Sequence, residues 1–498
     1  MNKNVLEWLE EAADKNPDRI VYEDSEESMT FGELFDEARR IGSALIRENL
    51  SDKPVAVMMG RGVHTIAAYL GIVYSGHAYA PIDRSQPDFR IQKILELLKP
   101  EAVLCDAEIK DNIGAAKLLF SDRLRDSGIL EDELMAVRRE ATELSPLYII
   151  FTSGSSGRPK GVMTSHHALM NYISAYADMM DIGPEDRLCS QSPLDYIAAI
   201  RDIYVPLLKG CYSFLCPKEY FMQPGLLFDK MNEKGITCVG WSVSALSVLV
   251  RLKAFREKKP EYLKKVCFSG SVMPAGVLAE WQEALPEALF VNQYGPTEVT
   301  ASCTYYRIDH RVADNESIPA GVPYDNYRVF LLSEDDGPVE RGGTGEICVA
   351  GPGLALGYYN DPERTKASFV QNPLNKAYNE TIYKTGDLGR FREDGLLEFH
   401  GRYDRQIKHM GHRVELDEIE LAAMASEGVG EAAAVYDAEN ENIWLFYSGG
   451  AELKSVIVGM RGRLPGFMVP RKVKRLDELP KLANSKTDME KLKELLKE

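Results

Sequence analysis

The stretch "FTSGSSGRPKG", residues 151–161, gathers the hydroxyls of Thr152, Ser153, Ser155 and Ser156 around one lysine, Lys160, with glycines at 154, 157 and 161. Glycines let backbone N–H groups curl round an oxyanion, and hydroxyls and an ammonium add donors, so the loop suits a phosphate. By composition alone it reads equally well as a Ser/Gly linker. Its placement favours the phosphate: it follows the apolar run "LYII", and ligands of open α/β sheets sit beyond the C-terminal ends of strands. The spacing is not that of a P-loop, because in "GSSGRPKG" glycine rather than Ser or Thr follows the lysine. Spacing alone therefore reaches a nucleotide phosphate held outside a P-loop, and stops there.

Other reactive residue types are ambiguous one at a time. Asp387 in "TGD", Tyr294 in "YGP" and Lys486 near the end of the sequence are each ordinary turn or surface residues. His166 and His167 form no metal signature, since adjacent residues on a helix face apart and no H-E-x-x-H follows; they mark a helix start or packing. The eight cysteines include no C-x-x-C pair and read as reduced, buried thiols. Nothing places a base beside Cys189 or Cys303, and neither is assigned chemistry.

The elements that must position these groups alternate. "FGELFDEARRIGSALIREN" reads as helix, "PVAVMM" as strand, "HTIAAYLGIVYSG" as helix, and "EAVLCD", "LYIIF" and "ITCVGW" as strands, with a helical "SALSVLVRLKAFREK" after the last. Such alternation predicts parallel sheets covered by helices on both faces. From about Ile318 the texture changes to Gly-punctuated short strands, "YRVFLL", "GEICVAG" and "LLEFHG", expected to form a barrel or an antiparallel sheet. A small Lys/Glu-rich mixed segment follows "GRYDRQIKHMGHR". The main boundary is placed at Asp404, giving domains 1–403 and 404–498.

A chain of 498 residues exceeds one compact core, and 45% hydrophobic with 27% charged residues is ordinary globular composition. Its 59 Lys and Arg against 76 Asp and Glu leave a formal charge of −17, which argues against nucleic acid as a partner. No apolar run approaches a membrane span and the N-terminus is not a secretory signal, so the expected location is the cytoplasm, with no membrane partner.

"TSGSSGRPKG" resembles the phosphate-loop signature of the adenylate-forming superfamily, which includes acyl-CoA synthetases, luciferases and peptide-synthetase adenylation domains. Further family motifs occur in the family's order: "YSGHAYAPID" (74–83), "NQYGPTE" (292–298), "GEICVAGPGLALGYYN" (345–360), "YKTGDLG" (383–389), "GRYDRQIKHMGHRVELDEIE" (401–420) and "LPKLANSKTD" (479–488). The resemblance spans essentially the whole chain, and "YGPTE" with "GHRVELDEIE" favours peptide-synthetase adenylation domains and D-alanine:carrier-protein ligases. The fold it implies is α/β: a large N-terminal domain with two helix-covered sheets and a distorted β-barrel, then a small mobile α+β domain.

The implied reaction starts when a substrate carboxylate attacks the α-phosphate of ATP and expels pyrophosphate, a meeting of anions that needs Mg²⁺ and several donors. By resemblance, Thr152, Ser153 and Lys160, with Gly154, Ser155, Ser156 and Gly157, handle the triphosphate. Glu298 helps bind Mg²⁺, Tyr294 stacks on adenine beside Gly295 and Thr297, and Arg402 lies near the nucleotide. Asp387 accepts both ribose hydroxyls, which suits a carboxylate's two oxygens. Lys486 bridges the carboxylate and the α-phosphate. Asp404 is the implied hinge: one pose brings in Lys486, and the other swings "KHMGHR", around Gly411, toward a tunnel for a pantetheine thiol. The acceptor is expected to be an acyl or peptidyl carrier protein in trans, since the sequence ends soon after Lys486; alternatives are free coenzyme A, or an idle scaffold that only retains the nucleotide fold. The basic "PRKVKRL" (470–476) reads as a solvated loop before a carrier dock.

Relatives that act on α-amino acids hold the ammonium with an Asp. Aligned without gaps, "SQSPLDYIAAIRDIYVPLLKG" puts Ile197 at that position, with Ala198 beside it, Arg201 in the pocket helix, and Asp195 two residues early. An apolar residue there leaves a buried ammonium unpaired. The small carboxylic acid substrate is therefore expected to be a hydroxy, keto, aryl or acidic acyl compound, with Arg201 available to a second carboxylate. Ser269, Gln293, Ala301 and Ser302 are the other expected wall positions. Leu356 stands where the family usually has Arg.

Overall fold

In the computed structural model, residues 3–107, 114, 116–154, 158–314, 316–438, 440–481 and 487–496 are described. Two large sheets dominate. The first runs in the order Gly357–Tyr358, Lys160–Ser165, Pro146–Thr152, Tyr79–Pro81, Val55–Met58, Ala102–Cys105, Lys117–Phe120. Its last five strands are parallel, and its first three are antiparallel. The second has nine strands, with a parallel centre of Leu289–Tyr294, Lys265–Ser269, Cys238–Ser242, Arg187–Ser190, Tyr212–Leu215 and Ile20–Glu23. This is the predicted alternation of short apolar strands and helices.

Helix Val63–Tyr74 is apolar all round and buried along nearly its whole length, as a helix enclosed within the core must be. It meets the amphipathic helix Phe31–Arg47 closely. A Cβ on Gly71 would lie 2.6 Å from the Ile41 side chain, and one on Gly42 2.7 Å from that of Tyr74, so the two glycines set the approach. Phe31–Arg47 begins in a capping box, Thr30 and Glu33 each satisfying the other's backbone N–H.

The Gly-punctuated strands after Ile318 form a five-stranded antiparallel sheet centred on Thr381–Phe391. Beyond it come the hairpin Gln406–His409 and His412–Glu415, helix Leu416–Met424, and a three-stranded sheet of Val429–Asp437, Asn442–Gly449 and Lys472–Arg475. The basic "PRKVKRL" segment is thus an edge strand and not a loop; Lys472 lies over the Trp444 ring at 5.8 Å. Alternating side chains there cover one sheet face while the exposed lysines discourage pairing with another edge. All eight cysteines are free and buried. Among the described residues no helix is long and apolar enough to cross a membrane.

Candidate active site

The phosphate-type loop is the tip of a hairpin. Pro146–Thr152 and Lys160–Ser165 pair antiparallel, with Thr152 opposite Lys160. The residues after the loop continue as strand, and the helix begins only at His166, capped by Ser165, so His166 and His167 occupy the helix start. His166 is buried and neutral, its pKa lowered to about 3 by burial. Gly154 is required by space: a Cβ there would sit 2.3 Å from the Arg158 carbonyl oxygen. Ser155, Ser156 and Gly157 lie outside the described residues, as does Lys486.

Glu298 rides on a 3₁₀ turn, Thr297–Val299, just beyond the strand Leu289–Tyr294. Gly295 permits this turn, since a Cβ would fall 2.4 Å from Ser302 Cα. Thr300 and Ala301 then take positive φ, 52° and 73°, uncommon for residues with a Cβ and a sign of backbone held by its surroundings.

Glu298 is fully buried and its carboxylate is the focus of the site. Lys160 Nζ donates to Oε1 at 2.9 Å, Tyr358 Oη donates to it at 2.8 Å, and Arg413 Nη1 reaches Oε1 and Oε2 at 3.0 and 2.9 Å. Burial alone would raise this carboxyl; Arg413 and Lys160 hold it well below the usual carboxylate range. Burial, reinforced by Arg413, brings Lys160 down to about 8 despite Glu298. Arg413 also accepts a hydrogen bond from Ser153 Oγ at its carbonyl oxygen, at 2.7 Å. Thr152 Oγ1, by contrast, is buried without a partner among the described residues.

A second cluster surrounds Asp387. Tyr294 Oη and Arg402 Nη1 each donate to one of its carboxylate oxygens. Arg402 turns its remaining donors to both oxygens of Asp404, at 2.6 and 3.0 Å, and to the Thr385 carbonyl. Lys408 lies 5.8 Å from the centroid of the Tyr294 ring.

Between the clusters stands the hairpin carrying "KHMGHR". Gly411 has φ +82° and its carbonyl accepts from Tyr196 Oη at 2.6 Å. His412 stacks on Phe467 at 3.8 Å and meets Tyr196 edge-on; burial lowers its pKa to about 4. Helix Leu416–Met424, next in sequence, is tied to the large sheets by a buried ion pair, Arg90 Nη1 to Glu418 Oε1 at 2.7 Å.

Ile197, Ala198, Arg201, Ser269 and Ala301 line one central cavity together with Gly295, Thr297, Asp387, Arg402 and Gly411. Gln293 and Ser302 do not line it: Gln293 accepts from Arg201 Nη1 at 2.8 Å and donates to Tyr324 Oη, while Ser302 is buried. Asp195 lines a neighbouring cavity instead, beside Asp83 and Arg61. Leu356 donates its N–H to the Met163 carbonyl and is partly exposed; nothing in the structure explains the substitution. Among the described residues no group of three or more His, Cys, Asp or Glu could hold a metal. The residues sequence reading assigned no role are Arg413, Tyr358, Lys408 and Tyr196; Arg413 was legible only as part of the "KHMGHR" motif.

The model of the family described as AMP-binding enzyme matches residues 9–359. Tyrocidine synthase 3 of Brevibacillus parabrevis is 32% identical over 99% of this chain, and tyrocidine synthase 1 of the same organism 28% identical over 99%. The chain spans 8% and 45% of the lengths of these two relatives. Among solved structures, holo-PA1221, a nonribosomal peptide synthetase protein containing adenylation and PCP domains, has a TM-score of 0.85 at 26% identity, covering 98% of this chain and 84% of that one. The o-succinylbenzoate CoA synthetase of Bacillus subtilis shares the fold at 20% identity, TM-score 0.85, with 99% and 98% covered. The chain belongs to the AMP-binding, adenylate-forming family, and stands close to the adenylation domains of peptide synthetases.

Proposed function

We propose that the chain activates a carboxylic acid with ATP and then transfers the acyl group to the phosphopantetheine thiol of a carrier protein supplied in trans. In the first step a carboxylate oxygen bonds to the α-phosphorus and the bond to pyrophosphate breaks. In the second the thiolate sulfur bonds to the acyl carbon and AMP leaves with the C–O bonding pair. The observation that carries the reading is that Arg413, bonded to the Glu298 of the Lys160–Glu298 pair, lines the same cavity as Asp387 and Arg201.

In this reading Thr152, Ser153, Lys160 and the loop glycines grip the leaving pyrophosphate, Tyr294 faces adenine, and Asp387 accepts the ribose hydroxyls once Arg402 yields one oxygen. Glu298 fits Mg²⁺: it is an ionised oxygen ligand, and Mg²⁺ takes one or two carboxylates plus substrate phosphates. Bound there, the ion would screen the charge on pyrophosphate. Domains 1–403 and 404–498 turn about Asp404, so that Lys486 serves adenylation and the Gly411 hairpin serves transfer. The hairpin seated in the cleft supports assigning the structure to the transfer pose. Eight free, buried thiols suit a reducing compartment, and we place the reaction in the cytoplasm.

The test is ATP–pyrophosphate exchange over a panel of acids, followed by a thiol supplied either as holo-carrier or as coenzyme A. Acid-dependent exchange and acylated carrier are expected. Nucleotide binding without exchange for any acid would leave an idle scaffold, and acylation of coenzyme A alone would reassign the acceptor.

A further inference from the structure

Arg201 is the feature of the cavity that adenylation does not explain. It sits in the first turn of helix Ala199–Lys209, lines the cavity, and is only 1% exposed. A guanidinium offers five N–H donors and keeps its charge in any protein setting. Three of the contacts go to neutral oxygens: Nη1 to Gln293 Oε1 at 2.8 Å, Nε to the Ala198 carbonyl at 3.3 Å, and Nη2 to the Gly240 carbonyl at 3.5 Å. No carboxylate comes within ion-pair distance of Arg201 among the described residues. Asp202, next in sequence, is buried and interacts electrostatically with Arg201 without forming an ion pair, and one of its oxygens has no hydrogen-bond partner among the described residues.

The surroundings are built to hold this side chain in place. Gln293 is itself anchored by Tyr324, and the Tyr176 ring lies 5.6 Å from Arg201 Cζ. Gly240 leaves the room: a Cβ there would come within 3.0 Å of Tyr176 Oη and 3.6 Å of Arg201 Cζ. A buried cation without a directly paired carboxylate is expensive, and a positioned one beside a cavity is a candidate binding group.

Among the described residues the cavity wall carries one carboxylate, Asp387, which is taken by Tyr294 and Arg402; Asp195 opens on the neighbouring cavity. An ammonium entering here would meet Ile197 and a cation.

Resting on the adenylation reading, we propose that the acid activated here carries a second carboxylate, and that Arg201 receives that group at the cavity wall while the first carboxylate faces the α-phosphate. Gln293 is then a positioning residue, which keeps the guanidinium fork aimed at the cavity.

The experiment is ATP–pyrophosphate exchange with matched sets of acids: straight-chain and aryl dicarboxylates, their monoamides, monocarboxylates of equal length, and α-amino acids. A dicarboxylate should exceed its own monoamide by about 10⁴-fold in kcat/KM, the scale on which sites built for one polar partner reject analogues lacking it. Arg201→Gln should erase that preference, and Gln293→Leu should weaken it by raising KM for the dicarboxylate more than it lowers kcat. AMP binding by calorimetry reports whether each variant is folded, and the panel run on the unmodified chain tests the proposal even if neither is. A neutral or amino acid preferred over every dicarboxylate overturns the proposal but leaves adenylation standing. So does a dicarboxylate preference that survives Arg201→Gln in folded protein. Exchange with no acid at all overturns both readings.

Discussion

Arg413→Ala should separate the two half-reactions. In the observed pose the Arg413 guanidinium spans both oxygens of Glu298, the residue proposed to hold Mg²⁺ beside pyrophosphate. If Glu298 holds Mg²⁺ as proposed, Arg413 would compete with it for that carboxylate, and this pose would follow the departure of pyrophosphate. Removing one partner of a buried ion pair costs about 3–5 kcal/mol. Glu298 keeps Lys160 at 2.9 Å and Tyr358 at 2.8 Å, which offset part of this, and we take ~2 kcal/mol as the loss to this pose. That corresponds to about a 30-fold smaller population. The assay is single-turnover transfer from preformed acyl-adenylate to the thiol, set beside pyrophosphate exchange on the same protein. Transfer should slow by about 30-fold when the pose equilibrium limits it, and should become more sensitive to added Mg²⁺–pyrophosphate, while exchange changes far less. Equal losses in both assays, or transfer unaltered within twofold, would refute the reasoning.

Lys486→Ala should nearly abolish exchange and spare transfer from preformed acyl-adenylate; equal loss of both would count against the two-pose scheme. Gly411→Ala puts a Cβ at φ +82° and 3.3 Å from that of Ser242, a strain of about 1–2 kcal/mol, so transfer should drop roughly 10-fold with exchange retained. His166 sets an acid limit: its folded pKa of about 3 lies below the unfolded value, so the unfolded chain binds the extra proton between the two. Stability should then be intact above about pH 6.5 and fall by about 2 kcal/mol by pH 5 on this account. Urea melts of His166→Gln should show a shallower acid loss; a loss as steep as that of the unmodified chain would assign the sensitivity elsewhere.

Where a residue's neighbours in sequence are also its neighbours in space, the sequence was informative. The strands "PVAVMM" and "LYIIF", the helix Phe31–Arg47 and the clustering of Lys160 with its loop follow from local periodicity and turn chemistry. The hairpin form of the phosphate-type loop was not legible, because "GVMTSHH" shows no alternation that separates strand from helix start. Arg413 could not be given a partner, since Glu298 lies 115 positions away and only the tertiary arrangement brings them together. Gln293 and Ser302 were expected at the cavity surface because both flank motif residues; Gln293 instead lies one contact back, bonded to Arg201, a depth that no local pattern reveals. The "PRKVKRL" strand was hidden by its charge, which an edge strand tolerates and a central one does not.

The Arg90–Glu418 pair carries a consequence for reversibility. Both side chains are more than nine-tenths buried, one on a helix of the large sheets and the other on Leu416–Met424, beyond the proposed hinge at Asp404. An apolar contact in this place would grow stronger with every square ångström it covered, by about 25 cal/mol, and hold the small region down. Two ions instead recover their hydration when they part, which repays most of the attraction they lose. The contact therefore behaves as a magnetic door-catch rather than a bolt: it defines where the door stops without deciding how long it stays shut.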